Sequence, residues 1–210
     1  MVEPLMQSPL HVFGLDAMAT PINDSKGAWV HEIPFLGYIS LRGNSSDALF
    51  MNAATSALGV VPPTEPCTFA EASDNKVLWI SSDEWMVVCP RDRLTDLKQA
   101  LTKALGPIHS QVADNSGGYT QEILQGRNAK DVLQHVSVYD VSTLKAGKVV
   151  GTTFGKASVY LHRQGDGYSI LLRRSFADYI WRYLVRAATP YGLGIARLDE
   201  RTKVNAGVAA

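Results

Sequence analysis

The chain has 210 residues and a mass of 22.9 kDa, and with 46% hydrophobic and 19% charged residues it holds enough apolar material for a packed core, which excludes wholesale disorder. Twenty basic residues balance twenty acidic ones, so no overall field draws it toward nucleic acid or an anionic membrane. Cys67 and Cys89 stand well apart in the sequence, with no CxxC and no neighbouring histidine, which excludes a four-ligand zinc set and predicts free thiols.

Residues 1–30 mix turn-formers with scattered apolar residues and read as an N-terminal arm. Glu3, Pro4 and Pro9 stand where a secretory leader needs a basic end and then an apolar run, and no apolar window long enough to span a membrane occurs, so a soluble cytoplasmic protein is expected. Alternating apolar and polar residues predict a strand over 37–42. A helix follows, with Asn44, Ser45 or Ser46 as cap, Asp47 at the positive end of the dipole, and Leu49, Phe50, Ala53, Ala54, Ala57 and Leu58 on its buried face; Gly59 suits the left-handed C′ position. Turn-formers at 62–66 precede a hairpin of strands 77–80 and 85–88. A second helix over 91–105 carries Leu94, Leu97, Leu101, Ala104 and Leu105 on one stripe before Gly106-Pro107 stops it.

The same series then recurs: a strand over 119–124, a helix over 128–136, strands over 158–163 and 168–173, and a helix over 175–188. In that last helix Ser175 is the candidate cap, and Phe176, Tyr179, Ile180, Tyr183 and Leu184 form the face expected to pack on a sheet. Residues 151–157 read as a loop leading into the strand at 158, and 197–210 as a C-terminal tail. A single 83-residue offset relates the two series without a gap: it carries Leu41-Arg42-Gly43 onto Leu124-Gln125-Gly126, and Asp83 to Arg91 onto Asp166 to Arg174. The expectation is an α+β protein of two related ferredoxin-like halves, each strand-helix-strand-strand-helix, in one pseudo-duplicated domain over 31–196 with halves at 31–108 and 109–196.

Chemistry is sparse. The glycine pairs at 165–167 and 192–194 lack the third glycine of a dinucleotide loop, and residues 151–157 lack the spacing and hydroxyl of a phosphate loop. The five histidines are scattered, and Asp131 with His135 reads as a surface ion pair. No catalytic, cofactor-binding or metal-binding residue is assigned. Trp181 takes the place of Lys98 after the shift from the first half to the second; with Arg182 and Arg186 it is a candidate interface, although packing under one of the chain's own terminal arms would serve Trp181 equally well.

The blocks His31-Glu32-Ile33-Pro34-Phe35-Leu36, Trp79-Ile80-Ser81-Ser82-Asp83-Glu84-Trp85, Asp114-Asn115-Ser116, Leu124-Gln125-Gly126-Arg127-Asn128 and Arg173-Arg174-Ser175-Phe176-Ala177-Asp178-Tyr179 together resemble the gamma subunit of heterotetrameric sarcosine oxidase. The resemblance implies the folate-binding-domain fold of the glycine-cleavage T protein. It also implies a non-catalytic subunit that docks mainly on the alpha subunit, in a complex with beta and delta subunits that oxidatively demethylates sarcosine to glycine. FAD, FMN, NAD and tetrahydrofolate would then reside in the partner subunits. An equivalent subunit of a related N-methyl amino acid dehydrogenase is the alternative, as is a small folate-dependent aminomethyltransferase-like enzyme. For that enzyme Asp83, Asp114 and Glu122 are the candidate carboxylates by residue type alone.

Overall fold

The computed structural model describes residues 6–198. A short helix α1 (Leu15–Met18) and strand β1 (Ala28–Ile33) precede β2 (Gly37–Gly43), α2 (Ala48–Leu58), β3 (Phe69–Ala72), β4 (Asn75–Ser81), β5 (Glu84–Cys89) and α3 (Leu94–Leu105). Strand β6 (Ser110–Asp114) leads into the second series: β7 (Tyr119–Gln125), α4 (Ala129–Val136), β8 (Val149–Phe154), β9 (Ala157–Gln164), β10 (Gly167–Arg173), α5 (Ala177–Ala188) and β11 (Leu193–Ile195). The repeat survives folding, since the same offset carries the bounds of α3 onto those of α5.

The strands form a five-stranded sheet, β3-β4-β5-β2-β6, and a six-stranded sheet, β11-β1-β7-β10-β9-β8, antiparallel throughout except where β11 runs parallel to β1. Both sheets bury both faces. Helices α2 and α3 cover the first sheet over Ile39, Leu41, Val77, Trp85 and Val87, while α4 and α5 cover the second over Val30, Leu124, Leu161 and Ile170. A third apolar layer joins the sheets through Tyr38, Leu78, Met86, Ile123 and Leu171. Hence β5 reads Trp85-Met86-Val87-Val88-Cys89, an uninterrupted apolar run, where a sheet with one wet face would alternate. Each of these large side chains contributes about 1.5–3 kcal/mol by leaving water.

The repeat is interlocked. The same offset places β1 on 111–116, most of β6, yet β1 pairs with β7 in the second sheet and β6 pairs with β2 in the first. Each half thus completes its sheet with the other half's leading strand. Gly126 makes the entry possible: at φ 105° it occupies the left-handed region, and a Cβ there would lie 2.6 Å from the carbonyl oxygen of Gly27 at the start of β1.

In the first half Gly59 takes the expected left-handed position at φ 75°, but the cap of α2 is not Asn44, Ser45 or Ser46: Asp47 caps it by accepting from the Leu49 N–H at 2.9 Å. Three other local signals differ. Residues 149–154 form strand β8, and Gly155 at φ 57° turns it tightly into β9, so the segment read as a loop is mostly ladder. Ser175 sits inside a 3-10 turn (Arg174–Phe176) and makes no cap hydrogen bond. Asp131 accepts from Asn128 and His135 meets the Tyr191 hydroxyl, so the expected ion pair is not made. Of the N-terminal segment, Ala28 to Val30 belong to β1, and Leu10 and Leu15 are buried in the second core. The tail beyond 198 lies outside the described residues.

Candidate functional site

Helix α5 carries the three residues singled out for interaction. Its buried stripe is Ala177, Ile180, Trp181, Leu184 and Ala188, the counterparts of Leu94, Leu97, Lys98, Leu101 and Leu105 on α3. Trp181 is 4% exposed and its ring lies 5.8 Å from that of Phe13, so it packs under the chain's own N-terminal segment. Arg182 pairs with Asp178 at 3.0 Å and lays its guanidinium 5.1 Å from the Phe13 ring. Arg186 is exposed in the last turn, and among the described residues its side chain makes no hydrogen bond or ion pair.

This stripe keeps the positions buried on α3 and adds Trp181, so it is not the stripe expected from periodicity, and two aromatic residues assigned to the core face outward instead. Phe176 and Tyr179 are 43% and 41% exposed; Tyr179 stacks obliquely on half-buried Tyr183 at 6.1 Å and receives the Lys156 N–H at 3.3 Å. Phe176, Tyr179, Tyr183 and Arg186 follow one another at spacings of three, four and three, which aligns them on one face. The matching positions on α3 are Arg93, Asp96, Ala100 and Lys103, an ordinary solvated surface. The duplicated helices therefore differ most on their outer faces.

The three candidate carboxylates lie apart. Asp83, in the turn between β4 and β5, is held low by hydrogen bonds from Ser81 and Arg42, the latter at 2.7 Å. Asp114 stands beside the opposite end of β2; burial pushes it up, but two hydrogen bonds from Ser116 win and hold it below the ordinary value. Glu122 lies in the other sheet, facing the helices, fully buried and with neither carboxylate oxygen partnered among the described residues. Directly across the β1–β7 ladder stands Glu32, which accepts from Thr120 at 2.5 Å and from Ser8. Desolvation, and then the charge of Glu32, raises Glu122 well above the carboxylate range; desolvation also raises Glu32, against the pull of Ser8, Thr120 and Arg174. The sequence carries one glutamate in each of these two strands on the helix-facing alternation, but their opposition depends on strand exchange.

A second polar group pins the sheets together. His162 on β9 donates from Nδ1 to the Arg163 carbonyl at 2.9 Å, which leaves Nε2 to accept from Lys76 on β4 at 3.4 Å. Lys76 also pairs with Glu71 at 2.9 Å and lies 5.0 Å above the Phe69 ring. Burial and then the Lys76 charge push His162 down to about 4, so it is a neutral acceptor. The third apolar layer fills the seam between the halves, and two clefts of about 160 and 260 Å³ open on it.

A family model described as the sarcosine oxidase, gamma subunit family matches residues 42–190, from the end of β2 to just past α5. The chain belongs to that family. Among solved structures, a chain of heterotetrameric sarcosine oxidase from Corynebacterium sp. U-96, in complex with pyrrole 2-carboxylate, superposes with a TM-score of 0.79 at 23% identity, covering 93% of this chain and 100% of that one. Aminomethyltransferase T of the glycine cleavage system from Bartonella henselae superposes with a TM-score of 0.64 at 15% identity, covering 90% of this chain and 51% of that one. The gamma subunit family member therefore has the expected α+β fold, and it spans about half of the T protein. No curated protein matches it in sequence. No described helix is long and apolar enough to cross a membrane.

Proposed function

We propose that this chain is the gamma subunit of a heterotetrameric sarcosine oxidase complex, that it has no active site of its own, and that it docks through the outer face of α5, mainly on the alpha subunit. The observation that carries this reading is the divergence of the duplicated helices: α5 presents Phe176, Tyr179, Tyr183 and exposed Arg186 where α3 presents charge and alanine. Aromatic residues and arginine dominate binding hot spots, and an aromatic stripe left in water has a cost that a partner relieves. Arg182, already tied to Asp178 and Phe13, forms the rim of that surface. The beta and delta subunits complete the assembly, and FAD, FMN, NAD and tetrahydrofolate reside in the partner subunits. Oxidative demethylation of sarcosine to glycine is the reaction of the whole complex.

The test is co-expression with the alpha, beta and delta subunits, for the wild-type chain and for Tyr179→Ser combined with Arg186→Glu. Wild type should elute with the other subunits as one species, while the variant, folded and of unchanged Tm, should elute separately. A wild-type chain that migrates alone at micromolar concentration, or that turns over sarcosine unaided, refutes the proposal.

A further inference from the structure

The repeat brings two arginines to one place. Arg91 and Arg174 are equivalent under the internal offset, and each opens a single 3-10 turn (Arg91–Arg93 and Arg174–Phe176) between the last strand of a hairpin and the helix that follows. In the folded chain both line one cleft of about 260 Å³, together with Phe35, Tyr119, Ser116 and Met6. Phe35 and Ser116 come from the β1–β2 and β6–β7 loops, which the repeat also relates, so the two halves meet here through equivalent elements.

We propose that the cleft between Arg91 and Arg174 is a binding site for a carboxylate group. Its lining holds two guanidinium groups and no acidic side chain. Among the described residues Arg91 makes no hydrogen bond or ion pair through its side chain, and Arg174 donates to the Gln7 carbonyl, which leaves most of its donors free. The nearby carboxylates feel these charges, Asp114 that of Arg91 and Glu32 that of Arg174, but accept their hydrogen bonds from other groups, Asp114 from Ser116 and Glu32 from Ser8 and Thr120. The two turns together with Arg173 carry four positive charges, Arg91, Arg93, Arg173 and Arg174, against Asp92 alone, on a chain whose net charge is +0. Both run into helix N-termini that no side chain caps, which adds positive partial charge at the end the arginines occupy.

A guanidinium presents parallel N–H donors that match the two oxygens of a carboxylate, and two such groups lining one cleft suit a single small anion. Phe35, Tyr119 and Met6 supply apolar walls, so the site favours an organic acid with a short carbon body over a fully hydrated inorganic ion. The same carboxylate could arrive as a free small acid or on an acidic side chain of a neighbouring subunit, and the experiment separates the two.

The full-length chain is titrated with succinate and with sodium chloride at matched ionic strength, following Tm and heat, for wild type, Arg91→Gln and Arg174→Gln. A free acid gives saturable binding by succinate that chloride does not reproduce, weakened roughly tenfold or more in either variant and retained in the assembled complex. A subunit-borne carboxylate gives succinate binding that assembly abolishes, together with weaker assembly of both variants. Equal response to succinate and chloride, or variants indistinguishable from wild type in both measurements, overturns the site. Succinate binding by the isolated chain does not depend on assembly through α5, so the two proposals fail separately.

Discussion

Replacing Glu122 by Gln removes an ionisable group from the core while keeping its shape. In the folded chain the Glu122 carboxyl holds its proton far above the ordinary range, because it is fully buried and faces Glu32, whereas the unfolded chain releases that proton near 4.5. Folding therefore takes up a proton once the pH passes 4.5, and stability falls as pH rises until the folded carboxyl ionises too. One proton corresponds to a slope of about 1.4 kcal/mol per pH unit, or up to about 3 kcal/mol over two units, against total stabilities of roughly 5–15 kcal/mol. Urea unfolding followed by circular dichroism at pH 5, 7 and 8.5 should show the two proteins within about 1 kcal/mol at the acid end, because a neutral acid and an amide are near isosteres. They should diverge in favour of Glu122→Gln as the pH rises. Parallel stability curves for wild type and variant across that range would falsify the claim that Glu122 keeps its proton on folding.

Two further outcomes follow from the same cores. His162 stays neutral to about 4 when folded but takes a proton below 6.5 when unfolded, so stability is lost as pH falls between those values, by about 3 kcal/mol in all; His162→Gln should flatten this acid limb in urea midpoints at pH 4.5 and 7, and an unchanged limb would contradict the buried neutral imidazole. Trp181→Ala should destabilise the isolated chain by about 3–5 kcal/mol, since it empties the contact with Phe13; a variant with wild-type Tm that fails only in assembly would mean that Trp181 faces a partner instead.

Helix α5 shows where reading from sequence stops. Its helical periodicity is plain, but Phe176, Tyr179, Trp181 and Tyr183 are all large aromatic residues, and the stripe that fits them best by spacing is not the stripe that is buried. Packing on the sheet decides: α5 buries the positions that α3 buries and adds Trp181, which the Phe13 ring from near the opposite end of the chain covers, while Phe176 and Tyr179 face outward. The loop expected at 151–157 failed for a related reason: Gly151, Thr152 and Thr153 have little apolar signal, and they become strand because β9 offers them a ladder. Arg91 and Arg174 were already aligned by the offset, yet nothing in the chain says that their turns share a cleft.

Composition, periodicity and the internal repeat determined the class of fold and the order of the main elements inside each half, because propensity, capping and alternation act over a few residues and are written locally; the family likeness rested on the residue blocks themselves. Tertiary structure decided the exchange of β1 and β6 between sheets, the opposition of Glu32 and Glu122, the burial of Trp181 and the meeting of the two arginines. Each of these joins residues far apart in the sequence. Such pairings are settled by which surfaces can close over one another without leaving polar groups stranded, a property of the whole packed chain and of no segment within it.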